Sequence, residues 1–378
     1  MGRAAPKSTV NFFALIVSLL AKNATDPLRA QNLEVILRIF PRLSLQQEVR
    51  ATARGIILVP PTGLEAGPEI NHPALRRPMT QRGMLMLGDQ IYADATASLF
   101  DNLTSIEKFQ DRYHKLFRSP GFAKAVRAIP CYMTGDDHEF KDSWSVPDDL
   151  LNPALYAAAQ QSFGTYQLSH SPFSGSLDKP PFDYSFTCGP VAVYVMDTLS
   201  NRNTKVPGEE EIVSSQQLED FDNWLAVLGV GDYVILATGG VVAPGFELGL
   251  DSVGETDVSR AQGMENWQAF NKQRIELFDI ISTSKTKILL VSGDYHCAAV
   301  ASIKSKDGRE IAKAVVVPPA YAPMRYSNAT SGMLAPSETT GGYKIDVTTH
   351  LDGSGFAIIN IANGEWDVKF ETLAVADT

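Results

Sequence analysis

Short apolar runs alternate with amphipathic segments along most of the chain. Residues 191–196 (VAVYVM) and 233–238 (YVILAT) are apolar runs with the length of buried strands. Residues 105–118 and 214–227 instead carry apolar side chains at helical spacing, and the second segment begins at a serine that can cap a helix. Strands that alternate with helices in this way predict an α/β fold in which crossover helices connect parallel strands.

The same pattern predicts elements outside this repeat. Residues 142–183 form a long excursion around one helix at 152–163, and such excursions commonly shape a pocket or a lid. Residues 356–361 and 366–373 are predicted to pair as antiparallel strands joined at Asn363-Gly364. A mixed sheet, or two sheets packed face to face with helices outside, fits this order. Further elements are predicted at 55–59 (strand), 122–128 (helix), 265–282 (helix) and 312–317 (strand).

The N-terminal part differs from the rest of the chain. Residues 1–52 are predicted to form a helical segment, followed by the main domain over residues 53–378. Residues 11–21 (NFFALIVSLLA) follow Arg3 and Lys7 and could be the apolar part of a secretory signal, but no small-x-small cleavage site follows them. An amphipathic helix in a cytoplasmic protein is therefore favoured, with a secreted protein as the alternative. The run is too short to span a membrane.

Three apolar runs end in the same way, by breaking into Gly-Asp followed by further polar residues. They are residues 84–92 (MLMLGDQIY), 131–139 (CYMTGDDHE) and 288–296 (ILLVSGDYH). Ligands and catalytic groups gather at the carboxyl ends of buried strands, so we expect these Asp side chains to meet at one edge of a sheet. Asp, His and Tyr are oxygen and nitrogen donors that suit Mg, Ca, Mn, Fe or Zn. The chain is therefore predicted to be a metal-dependent enzyme.

Net charge and cysteine content limit what the protein can bind. A net charge of −10 without runs of Lys or Arg argues against a nucleic-acid-binding surface. It leaves room for a small anionic substrate, because bound divalent cations can invert the field of an acidic pocket. The three cysteines, Cys131, Cys188 and Cys297, are too scattered for a disulfide framework or a CxxC site, and they are predicted to be structural.

Several common catalytic motifs are missing from the sequence. There is no GxGxxG after a strand, no GxxxxGK[ST] and no GxSxG. His138-Glu139 does not begin a zincin motif, because Asp142 stands where the second histidine would be. A single Asp after a strand is often only a helix cap. Three Gly-Asp pairs in order, each at the end of a predicted strand, favour a metal site.

These motifs resemble those of one known family. Residues 88–94 (GDQIYAD), 136–139 (DDHE) with Trp144 nearby, and 292–296 (SGDYH) are similar in order and flanking hydrophobicity to the PhoD-like phosphatases, a branch of the calcineurin-like metallophosphoesterases. The resemblance runs from about residue 83 to residue 300. It implies an α/β fold, namely a calcineurin-like sandwich of two mixed β-sheets flanked by helices.

The resemblance also implies a chemistry. It suggests a hydrolase of phosphate monoesters or diesters, a phosphatase or phosphodiesterase that uses two metal ions and a metal-activated water on a small phosphate-ester substrate. The metals would be Fe³⁺ with Ca²⁺ or another divalent cation (Mn²⁺, Mg²⁺ or Zn²⁺). Asp136 and Glu139 would orient the ligands. The implied metal ligands are Asp89 (bridging), Tyr92 (a phenolate that favours ferric iron), Asp137, Asp294 and His296, and the implied catalytic residue beside the metals is His138.

The chain departs from the family pattern in two places. The family's Gly-Ser-Cys element on the first strand is replaced by residues 56–63 (IILVPPTG), so Thr62, Glu65 or a water would complete the metal site there. The family's Asp-Thr-Arg is Asp197-Thr198-Leu199, which leaves Arg202 or Arg325 as the candidate phosphate-clamping arginine. The alternative is therefore a catalytically impaired metal-binding or interaction protein on the same fold.

Overall fold

The computed structural model describes residues 11–14, 83–93, 105–119, 122–246, 266–319 and 334–372, except for gaps at 124–125, 128–129, 142–143, 147–151, 178, 205–209 and 354. The predicted strand at 55–59, as well as Thr62, Glu65 and Arg325, lies outside the described residues. Within the described ranges, no helix has the length and apolar character needed to cross a membrane.

The principal α-helices match predicted helical segments. They are α1 (Ile106–Arg118), α2 (Pro153–Tyr166), α3 (Ser215–Ala226) and α4 (Asn271–Thr283). Helix α3 follows Ser214, whose hydroxyl accepts a hydrogen bond from the Gln217 backbone N–H at 3.2 Å, so the predicted helix cap is confirmed. Helix α1 buries Phe109, Tyr113 and Leu116, which lie three or four positions apart and therefore share one face.

The strands form two mixed sheets. In chain order they are β1 (Asn11–Ala14), β2 (Met84–Leu87), β3 (Cys131–Thr134), β4 (Tyr184–Cys188), β5 (Val191–Val195), β6 (Tyr233–Thr238), β7 (Lys287–Ser292), β8 (Ala298–Lys304), β9 (Glu310–Val316), β10 (Ser337–Thr340), β11 (Tyr343–Leu351), β12 (Gly355–Ala362) and β13 (Glu365–Thr372). One sheet has the order β10-β11-β8-β9-β7-β6-β5-β4, with β5, β6, β7 and β9 parallel. The other has the order β13-β12-β1-β2-β3, with β1, β2 and β3 parallel.

Alternate residues of the central strands face two different cores. Ile235 and Leu289 lie in a core that also contains Met86 of the five-stranded sheet. Their neighbours Leu236 and Leu290 lie in a second core with side chains of α3 and α4. Burial on both faces explains why β6 and β7 are continuous apolar runs, and each fully buried leucine contributes about 1.5–3 kcal/mol. The two sheets therefore share one core, and helices cover the outer face of the larger sheet.

The predicted C-terminal hairpin is confirmed. Strands β12 and β13 pair antiparallel from Ala362 opposite Glu365 outward. The turn residues Asn363 and Gly364 both have positive φ, at 54° and 81°. That conformation suits the two-residue turns whose twist matches a hairpin, and Asn-Gly adopts it at low cost.

The prediction of helix at the N-terminus is wrong where the structure describes it. Asn11–Ala14 is strand β1, which pairs with β2 on one side and β12 on the other. A short apolar run does not distinguish a buried helix from a buried strand by periodicity, and here two neighbouring backbones decide the outcome. The remainder of residues 1–52 lies outside the described residues, so the domain boundary stays a prediction.

Strands β4, β8, β10 and β11 were not predicted from the sequence. Strand β8 (AAVASIK) is buried along both faces and rich in alanine, so it shows neither alternation nor strong strand propensity. It is a strand because β9 and β11 pair with it on either side. The pairing with β11 joins segments about 40 residues apart, and such pairing leaves no local signal in the sequence.

Candidate metal centre

Left-handed backbone marks the ends of two strands that carry Gly-Asp. Gly88 has a φ of 92°, and Asp89 beside it has a φ of 56°. After β7, Asp294 and His296 have φ values of 66° and 53°. Residues with side chains lose about 1–2 kcal/mol of stability in this conformation, and such strain concentrates at functional sites. These turns therefore lower the stability of the fold, and in return they orient the Asp89, Asp294 and His296 side chains in a direction that ordinary backbone would not give.

Two glycines let the strand ends of both sheets approach each other. A Cβ atom on Gly88 would lie 2.5 Å from the Asp136 Cβ. A Cβ atom on Gly239, just after β6, would lie 2.9 Å from the Gly135 carbonyl oxygen. Because a side chain at either position would separate the strands, the ends of β2, β3 and β6 can meet only with glycine there.

Asp89, Asp137 and His138 form a cluster with the donor atoms of a cation site. One ligand atom from each lies within 4.8 Å of the others, and both carboxylates are buried. Asp89 Oδ1 is buried and has no hydrogen-bond partner among the described residues. A buried carboxylate oxygen without a partner is costly unless a cation binds it. The donor set therefore fits a metal ion.

Tyr92 and His296 lie against this cluster. The Tyr92 hydroxyl donates a hydrogen bond to Asp89 Oδ2 at 2.9 Å and lies 3.4 Å from His296 Nε2. The Tyr92 ring stacks on His138, with 4.0 Å between ring centroids. Burial lowers the pKa of His296, an effect that Asp89 opposes and His138 reinforces. A neutral imidazole is the form that binds metals.

Asp136 and Asp294 are further carboxyl groups at the same place. Burial raises the pKa of Asp136 well above its usual range, and the nearby Asp137, Asp294 and Asp89 carboxylates raise it further. Arg202 acts in the opposite direction. The sequence-predicted ligands thus converge on one edge of the sheets, although their individual roles stay predictions.

Glu139 holds the turns after β2 and β3 together. Its carboxylate accepts hydrogen bonds from the backbone N–H groups of Asp89 at 2.9 Å, Gln90 at 2.6 Å and Asp136 at 2.8 Å. Burial raises its pKa to about 7, with a further rise from Asp89, although the hydrogen bonds that it accepts oppose this shift. The predicted orienting function of Glu139 agrees with this geometry.

Comparison with known proteins gives the family. The model of the PhoD-like phosphatases matches residues 80–370. The chain belongs to the PhoD-like phosphatase family. The solved structure of PhoD is 12% identical in sequence and superposes with a TM-score of 0.65, covering 97% of this chain and 69% of PhoD. GAP50, the anchor in the inner membrane complex of Plasmodium, is also 12% identical, with a TM-score of 0.49 and coverage of 97% and 85%. No curated protein matches.

Membership of the PhoD-like family supports a hydrolase that acts on phosphate esters and depends on metal. At 12% identity the likeness to PhoD itself shows a shared fold. The range matched by the family model includes Asp89, Asp137 and His138, the residues of the candidate cluster.

The sequence did not predict a role for Gln167, which holds Glu139 in place beneath the candidate ligands of this PhoD-like phosphatase through a buried hydrogen bond. Its Nε2 donates hydrogen bonds to Glu139 Oε1 at 2.9 Å and to the Tyr113 hydroxyl at 3.0 Å. Gln167 directly follows helix α2, inside the excursion that the sequence predicts to shape a pocket or lid. It lies 28 residues from Glu139, and no local pattern marks it. Part of the excursion therefore anchors Glu139 and, through it, the turns that carry the candidate ligands.

Arg202 does not have the position expected of a phosphate-clamping arginine. Its side chain is fully buried, its Nε donates a hydrogen bond to the Trp144 carbonyl oxygen at 2.8 Å, and its Nη1 lies 3.5 Å from Asp136 Oδ1. A guanidinium enclosed in this way cannot contact a bound substrate. The expectation that Arg202 clamps phosphate is therefore wrong.

Replacing Gln167 by Leu is expected to lower the free energy of unfolding by about 1–3 kcal/mol, because Glu139 and Tyr113 would each lose a buried hydrogen bond. Chemical denaturation of the metal-free protein measures this change. Gln161→Leu, on the exposed face of α2, is the matched control and should change stability by less than about 0.5 kcal/mol. Equal losses in the two variants would contradict the supporting function of Gln167.

Proposed function

We propose that this protein is a hydrolase of phosphate monoesters or diesters with a two-metal centre and a metal-activated water, on a calcineurin-like sandwich fold. The observation that supports this best is that donor atoms of Asp89, Asp137 and His138 lie within 4.8 Å of one another, and that the buried Asp89 Oδ1 has no hydrogen-bond partner in the described part of the chain. Family membership supports phosphate-ester hydrolysis as the reaction.

Five residues would hold the metal ions. Two bound metals would polarise the phosphoryl oxygens and lower the pKa of a water nucleophile. Carboxylate, phenolate and imidazole donors suit Fe³⁺ together with Ca²⁺, or Mn²⁺, Mg²⁺ or Zn²⁺ in place of Ca²⁺. The proposed ligands are Asp89, Tyr92, Asp137, Asp294 and His296, with Asp89 shared between the two ions.

His138 is the proposed catalytic residue. It belongs to the donor cluster, is partly exposed to solvent and has one ring face covered by Tyr92. Its exposed part is therefore the part that a substrate can reach. In that position the imidazole would polarise a phosphoryl oxygen or donate a proton to the leaving-group oxygen. Stacking on Tyr92 fixes the plane of the ring, so that the proton is held in one direction.

Residues around the ligands keep the site in place during the reaction. Glu139 accepts one backbone hydrogen bond each from Asp89, Gln90 and Asp136, and these bonds hold the two turns together when charge in the site changes. Such preorganisation reduces the reorganisation needed in the transition state.

A second candidate is a metal-binding or interaction protein of the same fold that has lost catalysis. One observation favours it, namely that residues 56–63 carry no cysteine where the family usually has one. The first proposal is preferred because the three Gly-Asp motifs are all present in the sequence, and the first two supply the cluster of Asp89, Asp137 and His138. Bound metal without turnover on monoester and diester substrates would support the second candidate.

Chelation gives the first test. We expect hydrolysis of an aryl phosphate ester to fall to background after removal of metal, and to return when Mn²⁺, Ca²⁺ or Fe³⁺ is restored, because the proposed reaction needs metal ions to activate the water and to polarise the phosphoryl oxygens. Elemental analysis of the purified protein identifies the metals, and monoester and diester substrates are tested in parallel. Full activity in the chelated protein would contradict the proposal.

A further inference from the structure

The buried Arg202 side chain is fixed in place from several directions. Its backbone N–H donates to the Leu199 carbonyl oxygen at 3.2 Å, and its own carbonyl oxygen accepts from the Val146 N–H at 2.7 Å. Its Nε donates to the Trp144 carbonyl oxygen at 2.8 Å. These bonds hold both the chain and the guanidinium, so Arg202 presents its positive charge to Asp136 in one orientation.

Asp136 is the carboxylate that Arg202 faces, and it lies in the middle of the site. The Cβ position of Gly88 is 2.5 Å from the Asp136 Cβ, and that of Gly239 is 3.2 Å from its Cγ. Asp136 Oδ1 accepts the Asp137 backbone N–H at 3.0 Å and lies 3.5 Å from Arg202 Nη1. The Arg202 charge therefore acts from a fully buried position on Asp136, the residue next to the predicted ligand Asp137.

A fixed cation behind a carboxylate cluster has two opposite effects. When no metal is bound, it offsets repulsion among buried carboxylates that water cannot screen. When a metal binds, the guanidinium and the metal are like charges close to the same carboxylates, and the metal is bound less tightly. An arginine suits this position because it does not lose its proton in proteins.

We propose that Arg202 is a positioning residue that acts as a built-in counter-cation, stabilising the metal-free site and weakening the binding of divalent cations. This inference rests on the proposed metal centre. It accounts for a fully buried arginine whose guanidinium faces the buried Asp136 carboxylate.

The test compares Arg202→Met with wild type by titrating the metal-free protein with Mn²⁺ alone. We expect Arg202→Met to bind Mn²⁺ about fivefold more tightly or better, the lower end of a typical coupling between two sites. We also expect its melting temperature to fall more in chelator than in saturating Mn²⁺. Arg202→Lys, which keeps the charge, should bind Mn²⁺ with nearly wild-type affinity.

If Arg202→Met alone does not fold, the double variant Asp136→Asn with Arg202→Met still tests the inference. It removes both charges of the pair. In chelator it should therefore melt at a higher temperature than Arg202→Met, and it should bind Mn²⁺ with nearly wild-type affinity. Equal losses of melting temperature with and without Mn²⁺, at unchanged affinity, would show that Arg202 serves only through its bond to Trp144 and would overturn the inference. Wild-type protein that binds no Mn²⁺, Ca²⁺ or Fe³⁺ would instead refute the metal centre itself.

Discussion

Asp89→Asn is expected to lower the rate of phosphate-ester hydrolysis by at least about 100-fold, because losing a direct ligand should cost more than losing a supporting group. The side chain keeps its shape but loses its charge, and its new amide N–H₂ would take the place either of Oδ2, which accepts from Tyr92, or of Oδ1, which has no partner among the described residues. Mn²⁺ binding should weaken with activity. Steady-state kinetics and titration calorimetry measure the two effects.

Stability distinguishes this loss from misfolding. The Asp89 carboxylate is buried near Asp136 and Glu139, and it raises the pKa of each. Its neutralisation therefore removes repulsion, and the chelated Asp89→Asn protein should melt at the wild-type temperature or above it. Asp222→Asn, on an exposed position of α3, is the matched control and should leave binding and activity unchanged. An Asp89→Asn protein that hydrolyses substrate at the wild-type rate would refute the assignment of Asp89.

Gly88→Ala is expected to lower the free energy of unfolding by about 2–5 kcal/mol. About 1–2 kcal/mol comes from placing a side chain at a φ of 92°, and about 1–3 kcal/mol comes from the clash with Asp136. The clash involves the Cβ and backbone N of Asp136, at 2.5 Å and 2.9 Å, so no flexible side chain can yield. Denaturant unfolding in chelator measures the loss.

Gly308→Ala separates the two contributions. Gly308 has a φ of 81° but nothing within 4 Å of its Cβ position, so its replacement should cost only the left-handed backbone term of about 1–2 kcal/mol. Gly88→Ala should also weaken Mn²⁺ binding, because the strand ends of β2 and β3 would separate, whereas Gly308→Ala should not. Equal effects of the two substitutions would contradict the close approach of Gly88 to Asp136.

Much of the fold follows from local pattern. Strands β5, β6 and β7 and helices α1 and α3 are found where the sequence predicts them, since a buried strand or an amphipathic helix shows its environment in its own residues. Strands β1 and β8 are different. Each is a strand because other strands pair with it on both sides; both partners of β1 lie far away in the chain, as does the β11 partner of β8.

The candidate site also has features that the sequence predicts and features that only the structure shows. The sequence alone identifies Asp89, Asp137 and Asp294 as carboxylates that follow apolar strands, because the Gly-Asp break is local. The support of Gln167 for Glu139 and the burial of Arg202 behind Asp136 depend on packing between segments 28 and 66 residues apart.

Residue type and spacing thus determined the donor atoms of this PhoD-like phosphatase and the strand ends that carry them. Tertiary structure decided which of those ends meet, through the bare backbone at Gly88 and Gly239, and which charges face one another. The physical reason is that secondary structure and ligand type are encoded over a few residues, whereas burial and charge balance arise only when distant segments exclude water together.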